Sequence, residues 1–333
     1  SDVATESPAT TQPSAETLTP TTEAGEAVGG APLEGTSVTV AGWQARDHET
    51  EAIQAALDAF AGSQGMEITY TPEPAIAEVL LALAAGDAPP DIVLLPTVNS
   101  LADAARSGWA VPIPDEFAGV VAAQWPADWT LLGAVEGTQF GVPTESGLKS
   151  LVYYKPARFD ALGYGIPGTW DELRALTEQA IADGNTPWCV GIESGDATGW
   201  VFTDWVEDLV LRIAGADFYS AWTVHDVPFN SPEVEAAWRE VLDVWNTPGA
   251  VYSGGTSIAE FPFADNGFAL AADQCLMHRQ ANFLARPEWF PPGTTYGPHD
   301  GGIDVFYLPA MGDGGRPVLG IGTYAVALRD APE

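Results

Sequence analysis

The chain has 333 residues, enough for two domains and a large core. It carries 46 acidic residues against 12 basic ones, a formal charge of −34, and this field repels nucleic acid and anionic membrane surfaces, which excludes both as direct partners. No apolar run approaches the ~20 residues of a membrane span.

Residues 1–36 are rich in Thr, Pro, Ser, Glu, Ala and Gly, with no aromatic or basic residue. They bury too little apolar surface to offset ordering entropy and read as a disordered tether. No signal peptide is present, which fits a mature or trimmed form. Ordered structure is expected from Ser37. The pattern predicts a strand over 37–42, a helix over 49–62, a strand over 66–71, a helix over 75–85 and a strand over 91–95. The strands SVTVAGW and DIVLLP are nearly continuous apolar runs, and their alternation with helices predicts βαβ units and a parallel sheet. Such sheets bind ligands outside the carboxyl ends of their strands, which places Gly42-Trp43 and Pro96-Thr97 at a binding edge.

Residues 111–145 read as a connecting region, followed by an apolar strand over 148–154. Thr169-Trp170-Asp171-Glu172 has capping-box spacing and starts a helix that runs to about Ala182. A strand over 188–192 and a helix over 204–214 follow. Ser231-Pro232-Glu233 opens a helix over 231–246, with Pro at its first position. The remaining pattern predicts a strand over 264–272, a helix near 277–284, and strands over 302–308 and 318–328.

Twelve Trp, nine Tyr and thirteen Phe supply flat rings for the C–H faces of sugars, and carboxylates and amides can pair with sugar hydroxyls. Trp200-Val201-Phe202-Thr203-Asp204-Trp205 offers rings and a carboxylate within six residues. Trp200, Asp204 and Trp205 are therefore candidate ligand contacts; the competing reading makes Asp204 an N-cap and Trp205 core. Trp43 at the binding edge is a candidate against simple packing. Glu145 is a candidate against a solvated turn carboxylate. Arg279 offers a fork of donors to hydroxyls, or alternatively holds a structural carboxylate. Trp109, Trp125, Trp238, Trp245 and Trp289 read as packing residues.

Catalytic signatures are absent. Gly163–Gly168 matches the letters of a dinucleotide fingerprint but follows a helical pattern and places Pro167 in the phosphate turn. There is no GxSxG, HExxH or phosphate-cradling Lys loop, and the four His residues lack ligand spacing, so neither a cofactor nor a metal is expected. Acidic residues are abundant enough to leave one enzymatic alternative, a secreted glycoside hydrolase with a carboxylate pair. Cys189 and Cys275 are an even pair, which in an exported protein suits one disulfide; the competing reading is two buried free thiols packed as small apolar residues.

The phrases AAGDAPPDIVLLP, FGVPTESGLKSLVYYK, PGTWDEL, WCVGIESGDATGW with TDWVEDLVLR, and CLMHRQANF occur in an order that resembles the family 1 extracellular solute-binding proteins of ABC import systems, in particular their α-glucoside-binding branch. The resemblance spans roughly residues 38–328. It implies an α/β fold of two lobes joined by crossing strands, with the ligand cleft at their interface. On that template the first lobe takes 37–147 and 316–333, and the second takes 148–315. It also implies capture of an α-glucoside or related neutral di- or oligosaccharide by hinge closure and delivery to a membrane permease, with no chemistry on the sugar. Thr323 and Tyr324 join the candidate ligand contacts on this basis. The protein is expected to be a monomer outside the cytoplasm, at the cell surface or in the periplasm, lipid-anchored through a residue upstream of this sequence. Family members continue past this point with further helices, so the sequence is expected to be a fragment.

Overall fold

The computed structural model describes residues 33–73, 79–80, 82, 89–298, 301–312 and 315–329. Most of the expected tether and of the helix over 75–85 lies outside them. Two five-stranded sheets organise the molecule, and each forms the heart of one lobe of a periplasmic-binding-protein fold.

The first lobe opens with β1 (Ser37–Gly42), α1 (Asp47–Gln64), β2 (Glu67–Pro72) and β3 (Ile92–Leu95). β1 lies between β2 and β3 and is parallel to both, as the apolar runs predict. α1 ends where Gly65 takes a left-handed conformation (φ 71°), which glycine adopts without a Cβ penalty. α2 (Val98–Arg106) is capped by Thr97, whose hydroxyl accepts the Ser100 amide at 3.1 Å. Thr97 thus spends its side chain at the predicted edge on the helix. The connecting region forms α3 (Asp115–Gln124), α4 (Ala127–Leu132) and the hairpin β4 (Ala134–Val135) and β5 (Thr138–Gln139). β6 (Gly141–Leu148) then forms the far edge of the first sheet, whose order is β2-β1-β3-β12-β6.

The chain crosses after Leu148 into β7 (Leu151–Tyr154), so the single strand expected over 148–154 is two strands in different sheets. α5 (Pro156–Leu162) and α6 (Trp170–Ala182) follow. The capping box forms as its spacing predicts: the Thr169 hydroxyl accepts the Glu172 amide at 3.2 Å, and the Glu172 carboxylate accepts the Thr169 amide at 3.1 Å. β8 (Trp188–Cys189) leads to the long α7 (Trp200–Thr223), which starts one turn before the helix expected over 204–214 and kinks at Gly215 (φ 84°). α8 (Pro232–Asn246) packs against it, burying Val234, Ala237, Val241, Val244 and Trp245.

After β9 (Val251–Tyr252) the structure reverses two sequence expectations. Residues 264–272 are not a strand; a 3-10 turn leads into α9 (Asn266–Ala271). Residues 277–280 are not helical; they form β10 (Met277–Gln280), and a 3-10 turn follows over Asn282–Ala285. A short apolar run does not separate strand from helix. β10 is buried on both faces, yet it carries His278, Arg279 and Gln280, so its burial leaves no hydropathy signal. β11 (Asp304–Tyr307) completes the second sheet, ordered β11-β7-β10-β8-β9, and β12 (Gly320–Ala327) returns to the first sheet between β3 and β6.

The first sheet buries Val93, Leu95, Tyr324 and Val326 against Leu101 and Ala104 of α2. The second buries Trp188, Trp205, Leu209, Val241 and Met277 in the largest core. Each fully buried aliphatic side chain contributes roughly 1.5–3 kcal/mol. Cys189 and Cys275 form a disulfide with a Cα–Cα distance of 5.4 Å, within the second lobe.

Candidate functional site: an aromatic box and ion pairs between the lobes

Four rings from separate parts of the second lobe meet at its inner edge. Trp200, at the first turn of α7, lies 5.1 Å from Phe263 and 6.1 Å from Phe283, centroid to centroid. Trp289 lies 5.3 Å from both Phe263 and Phe283. The edge-on and tilted angles suit ring quadrupoles; Trp289 is buried at the base of the group, and Trp200, Phe263 and Phe283 are half-buried around it. From the first lobe, the Arg46 guanidinium sits 3.9 Å above the Trp289 ring. Polar groups border the box. Asn282, beside Phe283, accepts the Leu148 amide at 3.0 Å. Next to Leu148, Lys149 donates to Asp204 Oδ1 at 2.6 Å.

Charged groups close the rim. Arg286 donates from Nη1 to Glu49 at 3.0 Å and from Nη2 to Glu145 at 2.9 Å. His48 Nε2 lies 3.3 Å from Glu288. Beside them a cavity of about 640 Å³ has Val40, Ile53, Leu57 and Leu94 along its wall and Glu145 and Arg286 at its edge. Donor atoms of His48, Glu49 and Glu288 come within 4.8 Å of one another, a proximity that sequence spacing did not show. Two of these carboxylates are already engaged: Glu49 by Arg286 and Glu288 by His48.

The sequence candidates separate into two groups. Trp200 and Glu145 lie at the cleft, in the box and under Arg286 respectively. Trp43 is half-buried there, and its indole N–H donates a long bond (3.4 Å) to the Thr323 hydroxyl, so the two share one place on the first-lobe side. Asp204 is 3% exposed, paired with Lys149 and 3.7 Å from the Arg279 guanidinium. Three expectations are corrected. Trp205 is 1% exposed, wedged against Trp188 and Trp245 in the core, because one residue along a helix turns the side chain by about 100° from the face of Asp204. Tyr324 points into the first-lobe core, where burial pushes its hydroxyl up to about 12 while it donates to the Trp129 carbonyl. Arg279 is 1% exposed and donates to Asp208 at 2.7 Å, so the structural-carboxylate alternative describes it.

Arg279 belongs to a buried charge cluster on the stripe Asp204, Asp208 and Arg212 of α7. Asp208 accepts the Ser150 hydroxyl at 2.9 Å, the Arg279 guanidinium and the Arg212 guanidinium. Arg212 also donates to the carbonyls of Leu308 at 2.8 Å and Pro309 at 3.0 Å, and Ser150 accepts the Leu319 amide at 2.9 Å. Both crossing segments are thereby tied to α7. Nearby Glu207 has its carboxyl pushed up by burial, opposed by the Lys149 ammonium. His278, fully buried, has its pKa pushed down to about 4 by desolvation, so its imidazole is neutral near pH 7; its Nδ1–H donates to the Cys189 carbonyl at 3.0 Å.

Residues 46–272 match the family model for the bacterial extracellular solute-binding protein. The chain belongs to that family. It is 37% identical over 293 residues to the osmoprotective compounds-binding protein GgtB of Synechocystis sp., covering 86% of this chain and 67% of GgtB. It is 34% identical over 314 residues to the alpha-glucosides-binding periplasmic protein AglE of Rhizobium meliloti, covering 90% of this chain and 67% of AglE. Among solved structures it superposes on a chitin oligosaccharide binding protein with a TM-score of 0.71 at 17% identity, covering 90% of this chain and 74% of the other. It superposes on the bacterial solute receptor AcbH at 0.69 and 18%, covering 90% and 73%. These solute-binding proteins are not enzymes, which removes the glycoside hydrolase alternative. Family membership places the protein outside the cytoplasm, and among the described residues no helix is long and apolar enough to cross a membrane.

Proposed function

We propose that this solute-binding protein captures a neutral α-linked gluco-disaccharide, oligosaccharide or related glucoside between its lobes and presents the closed form, as a monomer, to an ABC permease in the membrane. A lipid on a residue upstream of this sequence holds it at the cell surface. The observation that carries the reading is the group of half-buried rings Trp200, Phe263 and Phe283, seated on the buried Trp289 that Arg46 of the first lobe caps. Rings stack on the C–H faces of a sugar, while Arg46, Lys149, Asp204, Asn282 and Glu145 offer donors and acceptors to its hydroxyls. Trp43 lines the first-lobe side in this reading, held by the buried Thr323 hydroxyl that accepts its indole N–H. The names of GgtB and AglE support the ligand class. Contacts from both lobes stabilise the closed form over the open one, which is how binding drives closure.

The site is tested by Trp200→Ala and Phe283→Ala, separately and together, in calorimetric titrations with the sugar the parent binds best. A nucleobase stacked on an aromatic side chain is worth about 1–3 kcal/mol; on the same scale for a sugar face, each variant is expected to lose roughly 10-fold and the pair most of the binding. Far-UV dichroism and thermal unfolding check that the variants fold. A folded double variant that binds as tightly as the parent removes the box from the site.

A further inference from the structure

We propose that Arg286 is a positioning residue that straps the two lobes together in the closed form and sets the free energy of closure before any ligand is counted. The proposal rests on the reading of the cleft as the ligand site only for its consequence on affinity. Arg286 lies in the second lobe, between β10 and β11. Its two terminal nitrogens divide between two first-lobe elements, Glu49 in the first turn of α1 and Glu145 on β6. A planar guanidinium holds two carboxylates in fixed directions at once; an ammonium is a rotatable point charge that fixes neither direction. The strap is part of a short seam in which residues 46–49 meet residues 286–289, since Arg46 covers Trp289 and His48 pairs with Glu288. These contacts join elements carried by different sheets, so opening the hinge breaks all of them together.

The pairs occupy a middle ground of exposure. Glu49 is mostly covered, at 13%, while Arg286 and Glu145 are 39% and 38% exposed. Such pairs are worth little singly and are screened by salt. Two of them on one side chain, broken by one motion, shift the open–closed balance by about 5- to 20-fold. A neutral sugar brings no charge to replace them. The strap therefore tunes affinity through closure without touching the ligand.

The experiment is intramolecular energy transfer between dyes on two exposed positions, Ala59→Cys on α1 and Glu178→Cys on α6, in protein without sugar. The parent is expected to show a closed population that falls as sodium chloride rises from low to about 0.5 M, where the Debye length is only a few Å. Arg286→Ala is expected to lower the closed-to-open ratio about 5- to 20-fold at low salt and to abolish most of the salt response. Arg286→Lys is expected to restore only part of it, and Glu49→Gln and Glu145→Gln each to give part of the loss, with little further loss when combined with Arg286→Ala. Thermal unfolding within a few degrees of the parent shows that the variants fold. By linkage, sugar affinity is expected to fall by the same factor as the closed fraction. A parent that is open at every salt concentration overturns the proposal, as does a closed population in Arg286→Ala equal to the parent's. A strap effect without binding of any sugar leaves the proposal standing and sinks the sugar reading instead.

Discussion

Replacing Cys189 and Cys275 together by Ala is expected to lower the unfolding free energy of the second lobe by about 4–5 kcal/mol. In the chain-entropy account, stabilisation grows with the logarithm of the loop closed, and a separation of 86 residues gives a value near the upper end of the usual range. The bridge ties the last residue of β8 to the segment just before β10, its parallel neighbour in the second sheet. Both cysteines are buried with Leu270, Leu284, Trp289 and Phe290, and the Ala pair also loses that packing. Both lie in one lobe, so the hinge is left free and the midpoint of sugar binding is expected to move little while the protein stays folded. Guanidinium unfolding followed by tryptophan fluorescence gives the comparison. A loss under about 1 kcal/mol contradicts the entropic account for this loop.

Asp208→Ala is expected to cost about 3–5 kcal/mol, because it leaves two buried guanidinium groups, Arg212 and Arg279, without the carboxylate between them. The loss is not that of one surface pair. Both arginines and Asp208 have fully buried side chains, so water cannot substitute for the missing acceptor. Ser150 also loses its acceptor, and with it one of the ties between the crossing segments and α7. Asp208→Asn keeps the shape and part of the hydrogen bonding but not the charge, and is expected to recover only a minor part of the loss. Urea titration of the three proteins decides it. A loss for Asp208→Ala no larger than that of an exposed ion pair, under about 1 kcal/mol, shows that the cluster is not compensated as described.

Much of the fold is legible in the sequence because the signals are local. Apolar runs in β1 and β3, the Thr169–Glu172 capping spacing and Pro232 at the first position of α8 each act within a few residues. The errors fall where burial is decided by distant partners. β10 is buried by β7 and β8, so its polar residues disguise a strand as something else. The site divides the same way. Trp200 is readable from a ring and a carboxylate on one helix face, but Phe263, Phe283 and Trp289 join it only through the fold. Arg46 and Arg286 were missed as site residues. Arg46 follows β1 at the predicted binding edge, three residues after Trp43, and the same edge rule would have found it. Arg286 has no such signal, since its two carboxylates are 237 and 141 residues away in sequence. The spacing of Asp204, Asp208 and Arg212, four residues apart on one helix face, was a readable sign that Asp204 belongs to a buried charged stripe.

The most direct test of the account is calorimetric titration of the protein with a panel of neutral α-glucosides (maltose, trehalose, sucrose, palatinose and longer maltodextrins) alongside charged solutes such as amino acids and cationic amines. The account predicts that at least one neutral sugar binds at micromolar concentration, about −8 kcal/mol, and that no charged solute does. Binding of a charged solute alone, with no response to any sugar, contradicts it.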